Sequence, residues 1–274
     1  YTLIVEGAAR PLRITGNHPI LTDRSWIRVD EIDADKRLAV TTDGKKLTFQ
    51  RISHLKRLKE VAMVYDIQVD EDESFVAENV VVHNCYLNEY PDDMAGIIEK
   101  NRENSYLGSN GGGTGSYWGN VRSAGEAVGE VGVTAGAIPL IKILDTTTAG
   151  ISQGNKRRGS GAVYMPMHNP EIEEFIDIRR PIGDPNRRSL NIHHGVTISD
   201  AFMHAVEHDL EWKLISPKDG SIRKIVSARS LWIKVLTARM EMGEPYIIYS
   251  DHVNKNQPEI HRINGNEVKT SSLC

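Results

Sequence analysis

The stretch Val80-Val81-Val82-His83-Asn84-Cys85 decides how the rest of this chain is divided. Three consecutive β-branched residues predict a buried strand, and that strand ends in an imidazole, a carboxamide and a thiol. An asparagine side chain can attack its own backbone carbonyl and break the following peptide bond, while an imidazole transfers the proton and a thiol accepts an acyl group. Taken alone, the same residues also fit a strand that ends in a polar turn. The sequence on either side decides between these interpretations.

The composition is that of an ordinary globular protein. Its 274 residues are 39% hydrophobic and 26% charged, so the chain can bury a core. A net charge of −4 offers no basic surface for nucleic acid, and we find neither a membrane-span-length apolar run nor a signal peptide. Two cysteines do not make a disulfide scaffold, so we expect a cytoplasmic protein. Because the chain starts within a predicted strand and stops at Cys274, we also expect it to be a piece of a longer protein.

Residues 1–84 are typical of short strands separated by turns. The apolar runs alternate or are β-branched, no 3.6-residue periodicity appears, and segments such as Thr42-Asp43-Gly44-Lys45 predict turns. We predict a small all-β domain over residues 1–84 that ends at the opening stretch. Its predicted strands are Tyr1–Val5, Leu12–Thr15, Trp26–Val29, Arg37–Val40, Lys46–Phe49, Met63–Val69 and Val80–Val82.

Two groups of residues in this domain resemble the splicing domain of inteins, which has the Hint fold. Thr15-Gly16-Asn17-His18-Pro19 is similar to the motif in which a Thr-x-x-His pair polarises an upstream peptide bond. Val64–Ile67, Ser74–Ala77 and Val80–Asn84, followed by Cys85, resemble the C-terminal pair of motifs of the same family. Thr-x-x-His alone also fits a histidine in a turn, whereas the whole set in this order is specific.

The resemblance to inteins assigns roles and also shows two departures. The family usually has a histidine where this chain has Glu73, and its N-terminal nucleophile would lie upstream of Tyr1. We therefore expect cleavage after Asn84 rather than full splicing by this chain alone. By resemblance, the splicing residues are Thr15 and His18 for the first acyl shift, Asp66 for positioning, His83 and Asn84 for cyclisation, and Cys85 as the acyl acceptor.

Residues 85–274 have a different pattern, in which helical periods lie between short strands. Asn169 and Pro170 predict an N-cap and first helical position, and Gly243-Glu244-Pro245 predicts a helix end. Strands alternating with helices indicate an α/β architecture. The further helices are predicted at Asp200–His208 and Ala228–Met242, and the strands at Ala162–Met165, Gly195–Ile198 and Tyr246–Tyr249.

Two glycine-rich segments in this part are candidate ligand-binding loops. In Asn110–Gly115 the missing Cβ atoms allow a ligand to approach the backbone, and successive N–H groups can form an anion-binding nest. Ser152–Gly161 carries a lysine and two arginines, which suit phosphate or a nucleobase. Each segment also fits a plain flexible loop, and neither matches the P-loop or the dinucleotide fingerprint.

One further pattern, His204-Ala205-Val206-Glu207-His208, fits the H-x-x-E-H arrangement of some zinc peptidases. Histidines four residues apart share a helix face, but no third ligand is evident in the sequence. We therefore interpret this stretch as a solvated helix face, and we expect no metal site in this chain.

Residues 85–274 resemble the large (α) subunit of ribonucleotide reductase over essentially their whole length. The motif Tyr117-Trp118-Gly119-Asn120 is most similar to class I, the aerobic type that works with a separate radical-generating small subunit. The matching pieces, in order, are Cys85–Asn88, Gly111–Arg122, Ser152–Gly161, Ala162–Tyr164, His168–Phe175 and Ser271–Cys274.

That resemblance implies part of a ten-stranded α/β barrel and a set of site residues. One departure is Ser272, where the family usually has a substrate-binding asparagine. Cys274 also fits the first residue of a second intein, since inteins often begin with cysteine. By resemblance, Cys274 is the thiyl radical that takes the 3′ hydrogen, Cys85 is one of the redox pair, Gly112, Gly113 and Ser272 bind substrate, and Asp92, Arg122, Ser152, Gln153, Gly154 and Arg157 serve the specificity effector.

The sequence thus predicts two parts, an intein splicing domain over 1–84 and a partial reductase barrel over 85–274. The resemblance implies a ribonucleotide substrate, a partner small (β) subunit with a dimetal centre, nucleoside or deoxynucleoside triphosphate effectors, a homodimer, and thioredoxin or glutaredoxin as reductant. It implies no cofactor bound in this chain. Two alternatives remain open, a cobalamin-dependent class II reductase and a Hint processing domain fused to a non-catalytic nucleotide-binding module. We predict no nucleotide reduction by this polypeptide alone.

Overall fold

The computed structural model divides the chain into two compact units, Tyr1–Tyr86 and Leu87–Leu273. Each unit has its own hydrophobic core, and each is described by itself below. The structure describes residues 1–6, 10–14, 18–33, 35–41, 47–57, 74–77, 80–83, 86–109, 112–130, 132–153, 157–158, 160–257, 263 and 265–271.

The first unit is a β structure in which some strands bury alternate residues and the strand Arg37–Val40 buries Leu38, Ala39 and Val40 in a row. In the first strand, Leu3 and Val5 are buried while Ile4 between them is exposed, as the two-residue period of a half-buried strand requires. A 3₁₀ turn, Val29–Glu31, follows directly after the strand Trp26–Arg28. The strands are β1 (Thr2–Val5), β2 (Leu12–Arg13), β3 (Pro19–Leu21), β4 (Trp26–Arg28), β5 (Arg37–Val40), β6 (Thr48–Lys56), β7 (Ser74–Ala77) and β8 (Val80–His83).

These strands form one sheet in the order β2-β1-β6-β5-β8-β3-β4, with β7 also paired to β8. The strand predicted at the opening stretch is confirmed as β8, which lies inside the sheet between β5 and β3. Its antiparallel register with β3 pairs Ile20 with Val82. The strand predicted over Met63–Val69 lies outside the described residues. The Hint assignment itself stays a prediction.

The second unit alternates strands and helices. It also contains a 3₁₀ turn, Pro185–Arg187. Its strands are β9 (Tyr86–Glu89), β10 (Gly113–Tyr117), β11 (Ala127–Val128), β12 (Gly132–Val133), β13 (Ser152–Gln153), β14 (Arg157–Arg158), β15 (Ser160–Pro166), β16 (His193–Ile198), β17 (Glu211–Ile215), β18 (Ile222–Ser227) and β19 (Tyr246–Tyr249). Its helices are α1 (Met94–Ser109), α2 (Ala137–Gly150), α3 (Ile172–Ile176), α4 (Asp200–Glu207), α5 (Ala228–Met242) and α6 (Ser250–Asn256).

A five-stranded sheet in the order β19-β16-β15-β10-β9 forms the centre of this unit. The pairs β10–β15, β15–β16 and β16–β19 are all parallel. Three predicted strands are confirmed as β15, β16 and β19, which confirms the α/β character of this part. The short pairs β11–β12, β13–β14 and β17–β18 are antiparallel hairpins outside the sheet.

The two faces of this sheet have different partners. On one face, Val163, Met165, Val196 and Ile198 belong to the large core cluster that includes the helices. On the other face, Tyr117, Ala162 and Tyr164 form a smaller cluster with Ile248 packed against it. We call this second side the tyrosine face.

The helix predictions succeed where a capping residue marks the end. Helix α5 matches its predicted bounds, with the Ser227 hydroxyl accepting from the N–H of Ser230 and Gly243 adopting a left-handed conformation, φ +78°. The predicted start of α3 at Asn169 and Pro170 is wrong, since the helix begins at Ile172. The Asn169 side chain instead accepts from the N–H of Glu171, which closes a turn ahead of the helix.

Within the described part of the chain, no helix combines the length and the apolar character that crossing a bilayer requires.

Candidate functional site

The parallel register gathers the predicted ligand-binding segments at one edge of the central sheet. Gly113, at the start of β10, pairs with Ser160, at the start of β15. Gly113 belongs to the first glycine-rich segment and Ser160 to the second, so the two segments lie side by side at this pair. Immediately before β10, the N–H of Gly112 donates to the carbonyl of Leu107 at the end of α1. Predicted substrate residues Gly112 and Gly113 therefore flank the helix-to-strand junction.

Part of the first glycine-rich segment is a strand, which corrects the sequence interpretation. Gly113–Tyr117 is a buried strand in the middle of the sheet. Glycine is depleted in strands, so the composition favoured a loop there. The structure shows why one of these residues, Gly115, has to be a glycine. A Cβ on Gly115 would lie 2.1 Å from the carbonyl oxygen of Ser271 and 3.1 Å from Cδ2 of Leu87.

The segment 265–271 therefore crosses the tyrosine face in van der Waals contact with the β10 backbone. Thr270 is buried in this segment. The Lys269 ammonium lies 3.0 Å from a carboxylate oxygen of Glu89 and 5.5 Å from the centre of the Tyr117 ring. Burial raises the pKa of Tyr164, and a side-chain hydrogen bond with Ser271 opposes that shift. These contacts hold the chain that leads to Ser272 and Cys274, both of which lie outside the described residues.

The predicted effector residues Asp92 and Arg122 are brought together. Nε of Arg122 lies 3.0 and 2.9 Å from the two carboxylate oxygens of Asp92, and the backbone N–H of Arg122 also donates to Asp92 at 2.8 Å. This hydrogen bonding raises the pKa of Arg122. Nη1 of Arg122 donates to the carbonyl of Ala127, the first residue of the β11–β12 hairpin. The pair therefore anchors that hairpin, and its role in binding an effector stays a prediction.

The other predicted effector residues form a hairpin rather than a featureless loop. Ser152 pairs with Arg158 and Gln153 with Arg157 in the antiparallel β13–β14 pair. Gly154 lies outside the described residues. The hairpin leads directly into β15, so its base is fixed to the same sheet edge as Gly113.

A buried charged cluster at this edge was missed by sequence reasoning. The Glu244 carboxylate is in hydrogen-bond contact with Nδ1 of His193, lies 3.0 Å from Nδ1 of His194 and accepts from the N–H of His194 at 3.1 Å. Arg179 places Nη1 3.4 Å from the same carboxylate. Burial opposes ionisation of Glu244, but the hydrogen bonds outweigh burial and hold its pKa well below the usual value. The β16–β19 register, which pairs Gly195 with Tyr246, brings these residues together.

The comparison with protein families bears directly on this unit. A family model described as "Ribonucleotide reductase, barrel domain" matches residues 83–274. The chain belongs to the ribonucleotide reductase barrel family. The predicted resemblance of the second part is thereby confirmed at the level of the family.

Similar curated proteins are ribonucleotide reductase subunits. A putative ribonucleoside-diphosphate reductase large subunit of Frog virus 3 is 38% identical over 191 residues, covering 70% of this chain and 33% of that protein. The ribonucleoside-diphosphate reductase large subunit of Invertebrate iridescent virus 6 is 35% identical, covering 70% and 20%. The subunit alpha of Helicobacter pylori strain J99 is 30% identical, covering 70% and 27%. The chain thus spans a third or less of the length of these relatives.

The reductase match begins at residue 83 and leaves most of the first unit uncovered; of the predicted splicing residues, Thr15, His18 and Asp66 lie in the uncovered part. His18 directly precedes β3, and His83 is the last residue of β8. Because β3 and β8 run antiparallel with Ile20 opposite Val82, the start of β3 and the end of β8 lie at the same edge of the sheet. The backbones of His18 and His83 therefore lie at the same end of neighbouring strands. Thr15, Asp66, Asn84 and Cys85 lie outside the described residues.

The H-x-x-E-H pattern falls on α4 and its C-cap. The rings of His204 and His208 stack with centroids 4.2 Å apart, and Nδ1 of His208 contacts the carbonyl of His204. His204 also lines an open cavity of about 460 Å³ with Asp200, Glu207 and His252. Over the residues whose placement the structure gives, no group of three or more potential ligands has an arrangement that suits a metal ion.

Proposed function

We propose that residues 85–274 are part of the large subunit of a class I ribonucleoside-diphosphate reductase, and that residues 1–84 are the C-terminal part of an intein. The observation that carries the reductase proposal is the family match over residues 83–274. The segment 265–271, seated on the tyrosine face, supports it, because it leads to one of the chain's two cysteines. The edge formed by Gly113 and Ser160 supports it as well.

The proposed chemistry uses thiols as donors of hydrogen atoms and electrons. Cys274, oxidised to a thiyl radical with the help of a partner small subunit that holds a dimetal centre, removes the 3′ hydrogen atom of a ribonucleotide. Cys85 and a second thiol then supply two electrons and two protons, so that the 2′ hydroxyl leaves as water and the two thiols become a disulfide. Cys274 returns the hydrogen atom to the 3′ carbon. Thioredoxin or glutaredoxin reduces the disulfide for the next turnover.

The nucleotide contacts in this proposal lie at the sheet edge and at the hairpins. Gly112 and Gly113 lie against the substrate, with Ser272 in the place of the usual asparagine. Asp92 and Arg122 bind the effector at the β11–β12 hairpin. Ser152, Gln153, Gly154 and Arg157 pass the identity of the effector to the substrate site. The short connection from the β13–β14 hairpin into β15 supports this last role.

The reductase proposal is tested by joining residues 85–274 to the rest of a viral large subunit from a similar protein. We expect deoxynucleotide formation that requires the small subunit and is lost in Cys274→Ser. Turnover with adenosylcobalamin and no small subunit would indicate class II instead. Nucleotide binding without turnover under either condition would favour the non-catalytic module.

The intein proposal rests on the register of β3 and β8, which places the backbones of His18 and His83 at the same end of the first sheet. In the proposed step, the side-chain nitrogen of Asn84 attacks its own backbone carbonyl. The bond to Cys85 breaks, the cysteine amine leaves with a proton, and a C-terminal succinimide forms. Because no water is consumed, the released 1–84 fragment is one water lighter than the product of hydrolysis.

Mass spectrometry of the purified chain tests this step. We expect slow formation of the succinimide fragment from the parent chain and none from Asn84→Ala. Asn79→Ala is the matched control, since it changes the same residue type five positions upstream, and it should cleave normally. Cleavage that persists in Asn84→Ala contradicts the proposal.

A further inference from the structure

The side chain of Asn254 on α6 is bonded to both backbone groups of one residue in the segment 265–271. Its carboxamide oxygen accepts from the N–H of Val268 at 2.7 Å, and its nitrogen donates to the carbonyl of Val268 at 3.0 Å. The same nitrogen also donates to the carbonyl of Ser250 at 2.9 Å, within its own helix. The side chain therefore pairs with Val268 as a neighbouring strand would, and its link to Ser250 fixes its direction.

A second residue of the same region holds the segment further upstream. The side-chain nitrogen of Gln257 donates to the carbonyl of Asn266 at 3.0 Å. Beyond Val268, the segment meets the central sheet at Gly115, where the carbonyl of Ser271 takes the place of a side chain. The path of the segment is thus fixed from one side by α6 and from the other by β10.

Cys274 follows Ser271 by three residues, and three residues span at most about 10 Å. Fixing the backbone at Val268 and Ser271 therefore restricts the volume that the Cys274 thiol can reach. We propose that Asn254 is a positioning residue for Cys274, acting through its paired hydrogen bonds to Val268. This inference rests on the proposed function only in giving Cys274 a chemical task.

The carboxamide of Asn254 supplies the one acceptor and the one donor that pairing with the backbone of Val268 requires. Alanine at position 254 removes both bonds to Val268, while aspartate keeps the acceptor for the N–H but sets a carboxylate oxygen against the carbonyls of Val268 and Ser250. Since each hydrogen bond contributes about 1 kcal/mol net, losing both should increase local opening of the segment on the order of 30-fold. Aspartate loses one bond and adds repulsion between oxygen atoms, so it should increase opening by more than the roughly 5-fold expected from one lost bond.

Two rates measured on the same chain test the inference. The first is hydrogen exchange of the Val268 amide, and the second is alkylation of Cys274 by iodoacetamide, with Cys85 as the reference thiol in the same sample. In Asn254→Ala we expect exchange of the Val268 amide to rise by about the 30-fold factor given for loss of both bonds, and alkylation of Cys274 to become faster with it. Asn254→Asp should also raise the exchange rate of Val268, by more than the roughly 5-fold expected from one lost bond. Exchange in α5 should not change, which shows that the unit remains folded.

The chain offers a matched control for each contact. Asn256→Ala changes the same residue type on the same helix, but the Asn256 side chain donates only to the carbonyl of His252, within α6. Gly115→Ala should disturb the segment from the sheet side, whereas Gly150→Ala places a Cβ where nothing lies within 4 Å. Asn256→Ala and Gly150→Ala, the two controls, should leave the exchange and alkylation rates at the parent values.

Faster exchange and faster alkylation in Asn254→Ala support the inference. An alkylation rate that stays at the level of Asn256→Ala overturns it, whether or not the exchange of Val268 changes, because the thiol would then be independent of the paired hydrogen bonds between Asn254 and Val268. Neither rate depends on nucleotide reduction. A chain that fails as a reductase but shows both increases would refute the proposed function and keep the positioning role.

Discussion

Glu171 gives the sharpest prediction about stability, because a buried carboxyl holds the start of α2. Its side chain is 6% exposed, one carboxylate oxygen accepts from the N–H of Ala137 at 2.8 Å, and the other lies 3.8 Å from Nη2 of Arg187. Gly136 provides the space, since a Cβ there would lie 2.1 Å from this carboxylate. Burial raises the pKa of Glu171 to about 7, although the Ala137 N–H and Arg187 oppose it.

The sign of the pH effect follows from proton binding. Between the ordinary glutamate pKa, near 4.5, and the folded value, near 7, the folded state holds a proton that the unfolded chain has lost. The free energy of unfolding therefore falls as pH rises through this window. A shift of about 2.5 pKa units corresponds to roughly 3 kcal/mol, which is the largest loss expected from this group.

Glu171→Gln removes the titration and keeps an oxygen to accept from Ala137. We expect the difference in unfolding free energy between parent and variant to change by about 3 kcal/mol between pH 4.5 and pH 7.5, to the disadvantage of the parent. Urea unfolding followed by tryptophan fluorescence measures this, since three of the four tryptophans, Trp118, Trp212 and Trp232, lie in the second unit. A difference that is constant with pH would refute the reasoning.

Three further predictions follow from contacts in the same unit. Glu244→Gln should lower the free energy of unfolding by about 3 kcal/mol at pH 7, measured by urea titration. The difference between parent and variant should shrink below pH 4, because the pKa of Glu244 is lowered in the folded state and the stability this provides is lost as pH falls. Gly243→Ala should destabilise the unit by about 1 kcal/mol because of its positive φ, whereas Gly150→Ala should not. If Arg122 binds the effector, Arg122→Ala should weaken deoxynucleoside triphosphate binding about tenfold by calorimetry, and Arg102→Ala, at an exposed pair with Glu99, should not. Equal effects of the two arginine variants would count against the effector site.

The sequence predicted those elements whose ends or patterns are local. Ser227 and Gly243 mark the ends of α5, and the β-branched or aromatic runs mark β8 and β19. Helix α1 was not predicted, because its buried positions include Asn104, which bonds to Asn88 and Tyr90 rather than forming an apolar stripe. Such a buried polar network hides the helical period.

The candidate site was only partly predictable, for a related reason. Asp92 and Arg122 were found through a family resemblance, and the structure brings them into contact. The cluster around Glu244 was missed because His193 lies 51 residues away in sequence and becomes a neighbour only through strand register. The need for glycine at Gly115 was also invisible, since it depends on a backbone carbonyl from a distant segment.

The contacts that the segment 265–271 makes with α6 and with β9 also have a consequence for the order of folding. Asn254 and Val268 are separated by 14 residues, whereas Lys269 and Glu89 are separated by 180. Closing the longer loop costs about 2 kcal/mol more in chain entropy. Helix α6 and the segment should therefore pair early as a local hairpin-like module. Docking of that module onto β9 and β10 should come late, after the parallel strands have assembled.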